Sequence, residues 1–80
     1  MTEKARLKWH CRRGMRELDL LLEGFLEHRY DALSPAGQSS FGRLLDCPNE
    51  DLMSWLVGGD RPQDKQLAEI VERIRARGAL

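Results

Sequence analysis

Met15-Arg16-Glu17-Leu18-Asp19-Leu20-Leu21-Leu22-Glu23-Gly24-Phe25-Leu26 decides the fold class. Its apolar members Met15, Leu18, Leu21, Leu22, Phe25 and Leu26 fall at steps of three and four, the period of one helix face. The β-branched residues Thr2, Val57, Ile70, Val71 and Ile74 never alternate with polar partners, so no strand is expected. Working outward, Thr2 predicts the cap of a first helix with Ala5, Leu7 and Trp9 as its apolar members, ending near Arg12. The second helix stops between His28 and Tyr30. Ser34-Pro35 is a strong start signal, a hydroxyl cap followed by a proline whose missing N–H costs nothing there, and it opens a helix carrying Phe41, Leu44 and Leu45. Pro48 predicts the first residue of a fourth helix with Leu52, Trp55 and Leu56 inward, ended by Gly58-Gly59. Pro62 predicts the start of a fifth, with Leu67, Ile70, Val71 and Ile74 on one face. The expectation is an all-α, small five-helix bundle in which residues 1–80 form a single domain.

Length and composition restrict what such a bundle can do. Eighty residues bury one core and leave little room for a deep catalytic cleft. The longest apolar run, Leu20-Leu21-Leu22, stops at Glu23, so no membrane insertion is expected. The start Met-Thr-Glu-Lys has no apolar stretch behind it, which predicts no secretory signal and a cytoplasmic location. Two cysteines are too few for a disulfide scaffold, and Cys11 and Cys47 are expected to pack as small apolar residues.

The formal net charge is zero, 13 basic against 13 acidic side chains, but its distribution is uneven. Residues 1–16 carry six basic side chains against Glu3, a net of +5; residues 17–60 carry −7 and residues 61–80 carry +2. Either an interaction surface or a basic helix lying on an acidic one accounts for this asymmetry. The 44 acidic-biased residues after the basic block would repel phosphates, so nucleic acid is not an expected partner. His10, Cys11, His28 and Cys47 lack the paired spacing of a metal site. No base accompanies Cys11, and no phosphate loop or nucleophile elbow is present, so autonomous catalysis is not expected either.

The unusual chemistry gathers around Gly14. A glycine there costs a helix about 1 kcal/mol relative to alanine, so either the chain turns or something approaches its backbone closely. With Gly14 as a cap, Glu17 would reach back to the cap N–H and face the positive end of the helix dipole, and Arg13 and Glu17 stand at i, i+4. The functional alternative is an exposed Arg13/Glu17 pair flanking a bare patch of backbone. Trp9 is assigned to the core, with an interface anchor as its alternative, and Trp55 to the core. Tyr30-Asp31 is either a helix-ending turn or part of the docking surface.

Trp9-His10-Cys11-Arg12-Arg13-Gly14-Met15-Arg16-Glu17-Leu18-Asp19 resembles the Arg-Gly-x-x-Glu signature of the SdhE (YgfY) family, the succinate dehydrogenase flavinylation factors. Phe25-Leu26-Glu27-His28-Arg29-Tyr30-Asp31-Ala32-Leu33-Ser34, Arg43-Leu44-Leu45-Asp46-Cys47, Asp51-Leu52-Met53-Ser54-Trp55-Leu56 and Pro62 are similar too, in the family's order, so the likeness covers residues 5 to 75. The loop at Pro48-Asn49-Glu50 departs from the acidic turn common in relatives, and with the sequence ending at Leu80 no role for a longer tail is expected. The resemblance implies a small five-helix chaperone that binds the flavoprotein subunit of succinate dehydrogenase, and of fumarate reductase, and promotes covalent attachment of FAD to a histidine of that subunit. On this footing the partner-binding residues are Arg12, Arg13, Gly14, Arg16 and Glu17, with Tyr30 and Asp31 beside them. No cofactor is expected to be held stably, because FAD is the group attached to the partner. A monomer is expected. The alternative role within the family is that of an antitoxin binding a small membrane-associated toxin.

Overall fold

The structure is a computed structural model that describes residues 2–78. Five α-helices form in the expected order: α1 Glu3–His10, α2 Arg16–His28, α3 Pro35–Leu45, α4 Asn49–Leu56 and α5 Lys65–Gly78, with one 3-10 turn at Tyr30–Ala32. No strand occurs among the described residues. The Cα atoms fill an envelope of 32 × 26 × 25 Å.

The strongest local signals act as read. Thr2 Oγ1 accepts from the Ala5 N–H at 3.1 Å, and Ser34 Oγ accepts from the Gly37 N–H at 3.1 Å with Pro35 at the first helical position. Two starts differ. Pro48 is the cap of α4 rather than its first residue, and α5 begins at Lys65 instead of Pro62. Asp64 explains the second shift: its Oδ1 accepts from the N–H groups of Gln66 at 2.8 Å and Leu67 at 3.1 Å, satisfying two donors that a proline could only avoid. Pro62 is buried instead. Arg43 of α3 bonds Asp64 and Gln66 at 2.9 and 2.8 Å, fastening α3 to the start of α5.

The core is assembled mainly between α2, α3 and α5. Leu18, Leu22, Phe25 and Leu26 from α2 meet Phe41, Leu44 and Leu45 from α3 and Leu67, Ile70, Val71 and Ile74 from α5. Leu52 and Leu56 from α4 close one side, and Trp55 packs half-buried at their edge. The Phe41 ring lies 5.5 Å from that of Phe25 and 5.7 Å from that of Tyr30, the latter edge-on.

Helix α1 corrects the sequence reading. Only Leu7 of α1 is buried, followed by Cys11 one turn later; Ala5 is exposed, and Trp9 is 65% exposed. Residues two apart on a helix are separated by about 200°, so Ala5 and Trp9 cannot share the face of Leu7, whereas Cys11 at i+4 does. Trp9 is therefore a surface residue. Cys11 takes its place in the core, fully buried, and burial, reinforced by Glu23, pushes its thiol up to about 12. Burial therefore opposes the thiolate form in spite of neighbouring Arg13. Cys47 is half-buried, and burial raises its thiol also.

Candidate functional site

Between α1 and α2 the chain turns at Gly14, whose φ of +76° is a left-handed conformation that costs other residues about 1–2 kcal/mol. The glycine is exposed, and a Cβ built on it would meet nothing within 4 Å. The backbone conformation, not internal crowding, requires glycine here. Gly14 thus makes the turn, and the turn leaves its backbone exposed and free of side chains.

The carboxylate that secures this turn is not the one expected. Met15, rather than Gly14, is the cap of α2, and no side chain caps the helix at that position. Asp19 reaches back instead, accepting from the Arg13 N–H through Oδ1 at 2.8 Å and from the Gly14 N–H through Oδ2 at 3.1 Å. Glu17 points outward and makes no ion pair among the described residues. Arg13 and Glu17 do not pair because i, i+4 neighbours meet only on a continuous helix, and Gly14 breaks it.

Arg13 is half-buried and turned into the protein. Its Nε donates to the His10 carbonyl at 2.8 Å; Nη1 donates to the Cys47 carbonyl at 3.2 Å and to Asn49 Oδ1 at 3.1 Å; Nη2 donates to the Leu45 carbonyl. One guanidinium thereby joins the end of α1, the end of α3 and the start of α4. A cation beside terminal helix carbonyls also opposes the negative end of each dipole. The expectation of a freely exposed Arg13 is corrected: four of its five N–H donors are committed within the chain.

The remaining residues of the cluster face outward. The Arg12 guanidinium lies 5.3 Å from the Trp9 ring centroid and 3.6 Å from a Glu23 carboxylate oxygen. Arg16 is exposed and makes no ion pair among the described residues. Leu20, one turn beyond Arg16 on α2, is 63% exposed. Trp9, His10, Arg12, Arg13 and Leu45 border a shallow depression next to the turn. The basic first block is therefore only partly neutralised by the acidic second one, through Arg12–Glu23 and Lys4–Asp31 at 3.0 Å.

Tyr30 and Asp31 are not brought to this cluster. Tyr30 is 8% exposed, its ring packed on Phe41, which corrects its assignment to a docking surface. Burial, with Glu3 and Asp31 nearby, raises its hydroxyl pKa. Asp31 is exposed but pairs with Lys4, near the start of α1, while Gly14 follows the end of that helix. Eight helical residues, about 12 Å, separate the two places.

Sequence reasoning passed over the roles of Asp19 and Asn49, and it favoured the core for Trp9 over the exposed alternative. The phase of α1 could have placed Trp9 opposite Leu7. Nothing local marks Asn49 as an acceptor for a residue 36 positions earlier. No group of three or more His, Cys, Asp or Glu among the described residues is placed to hold a metal ion, and no described helix is long and apolar enough to cross a membrane.

Comparison with known proteins agrees with the resemblance carried by the Gly14 segment. A family model described as the flavinator of succinate dehydrogenase, Sdh5, matches residues 5–78. The FAD assembly factor SdhE of Yersinia pseudotuberculosis is 47% identical over 77 residues, which cover 96% of this chain and 88% of the relative. The factors of the same name from Serratia sp. and Idiomarina loihiensis are 46% and 42% identical over 77 residues, covering 96% of this chain and 88% and 86% of the relatives. Matched over nearly its whole length, the chain belongs to the Sdh5 family of succinate dehydrogenase flavinators.

Proposed function

We propose that this protein is a cytoplasmic assembly factor that binds the flavoprotein subunit of succinate dehydrogenase, and that of fumarate reductase, and promotes covalent attachment of FAD to a histidine of that subunit. The observation that carries the reading is the family match over residues 5–78, which includes the whole Gly14 turn.

The geometry supports a helper rather than a catalyst. Attachment requires the partner's histidine to sit against the C8 methyl of its flavin, and holding reacting groups in near-attack geometry alone lowers a barrier by several kcal/mol. A small domain does this by binding the aligned conformation of its partner better than the others. Gly14 admits the partner's backbone to close range, Glu17 and Arg16 supply exposed charges for charge-assisted hydrogen bonds, and Trp9 with Arg12 supplies a flat apolar contact beside them. Arg13 contributes by holding the turn against α3 and α4, because four of its five N–H donors are already engaged.

The test is to produce the flavoprotein subunit with and without this chain and to read flavin fluorescence in a denaturing gel, where only covalently bound flavin remains. Fluorescence of the subunit band is expected to rise when the chain is present. An unchanged band in the presence of the folded chain overturns the proposal.

A further inference from the structure

We infer that Asp19 is a positioning residue for docking, its carboxylate holding the Gly14 turn in the conformation that the partner meets. The inference rests on reading residues 12–17 as the docking turn.

The turn needs a restraint at Arg13 and Gly14, and packing supplies only part of it, through Met15 resting half-buried against the core. Gly14 has no side chain, its surroundings are open, and ordering its backbone costs conformational entropy. Cys11 anchors one end in the core and half-buried Met15 with Leu18 the other, leaving the backbone of Arg13 and Gly14 to be held by hydrogen bonds. Asp19 takes the two successive N–H groups of Arg13 and Gly14, one on each carboxylate oxygen. Its own backbone is fixed in the first turn of α2 by donation to the Met15 carbonyl at 2.8 Å. The guanidinium of Arg13 fixes the same residue from the other side through His10, Leu45, Cys47 and Asn49.

This arrangement couples two parts of the docking surface. Arg16 and Glu17 ride on α2, while the bare backbone at Gly14 lies outside it. The Asp19 carboxylate is the side-chain link that joins that backbone to α2, so it sets where the open patch stands relative to the charges. A surface set before contact does not lose that ordering entropy on binding.

Asp19→Asn keeps size and shape but offers an amide donor where one of the two N–H groups needs an acceptor. Asp19→Glu keeps the charge and displaces it by one methylene. Amide exchange of Arg13 and Gly14 is expected to accelerate about tenfold in Asp19→Asn, with Ile70 and Val71 in α5 unchanged. Affinity for the purified flavoprotein subunit is expected to fall about tenfold in Asp19→Asn and less in Asp19→Glu. In a Gly14→Ala background the Asp19→Asn loss should shrink below about threefold, because both changes act on one turn. Unchanged exchange at Arg13 and Gly14, or the same tenfold loss in both backgrounds, overturns the inference. If the wild-type chain itself does not bind the subunit, the function proposed above falls, and the exchange comparison still decides whether Asp19 holds the turn.

Discussion

The α1–α2 turn and the seam between α3 and α5 are held together by opposite means. The seam is apolar: Phe41, Leu44, Ile70, Val71 and Ile74 exclude water, and its order comes from area removed from solvent. The turn is polar and open. Asp19 holds two backbone N–H groups, Arg13 spans three carbonyls and an asparagine, and no side chain covers Gly14. Apolar contact is non-directional and tolerates small shifts; hydrogen bonds are directional and locate a few atoms sharply. On the proposed reading, a patch of bare backbone offered to a partner is therefore held by the second kind of contact. Covering it with apolar side chains would bury the surface offered.

The contrast can be broken hardest at the seam. Phe41→Ala removes a fully buried ring that meets both Phe25 and Tyr30, and should cost about 3–5 kcal/mol in chemical denaturation. Partner binding should fail only to the extent that the chain unfolds. At the turn the relation reverses. Gly14→Arg should lose only about 1–2 kcal/mol, from the positive φ, while pull-down of the flavoprotein subunit is abolished. A Gly14→Arg chain that unfolds outright, as judged by circular dichroism, would show that the turn is structural alone.

Arg13→Lys sharpens the comparison at a smaller scale. An ammonium cannot reach His10, Leu45, Cys47 and Asn49 together, so thermal denaturation should report a loss of about 1–2 kcal/mol. Binding should weaken, but less than in Gly14→Arg, because the turn keeps Asp19. Lys4→Ala is expected to do least. The Lys4–Asp31 pair is exposed and stands at the far end of α1, so stability should change by under about 1 kcal/mol and affinity for the subunit not at all. A clear loss of affinity in Lys4→Ala would restore Asp31 to the docking surface.

Much of the bundle was legible without coordinates, and the misses have physical reasons. The α2 stripe from Leu18 to Leu26 and the Ser34-Pro35 start are signals complete within a few residues, and they appear where expected. Trp9 was misplaced because its size argued for burial, while the phase set by Leu7 and Cys11 turns it to solvent. Tyr30 was misplaced in the other direction. It follows the end of α2, where an exposed turn is the ordinary outcome, yet the 3-10 turn rotates its ring onto Phe41.

Sequence by itself determined the helical class, the number and order of the helices, the need for a glycine near position 14 and, by resemblance, the family. Each follows from short-range rules: helical period, cap chemistry, the steric freedom of glycine, and a motif of adjacent residues. Only the tertiary structure decided the roles within the motif. Arg13 finds its acceptors at residues 45, 47 and 49, more than 30 positions along the chain, and these come within reach only when α3 and α4 pack beside α1. Once they do, the arginine is an internal brace, Asp19 is the carboxylate that holds the turn, and Glu17 is left facing outward.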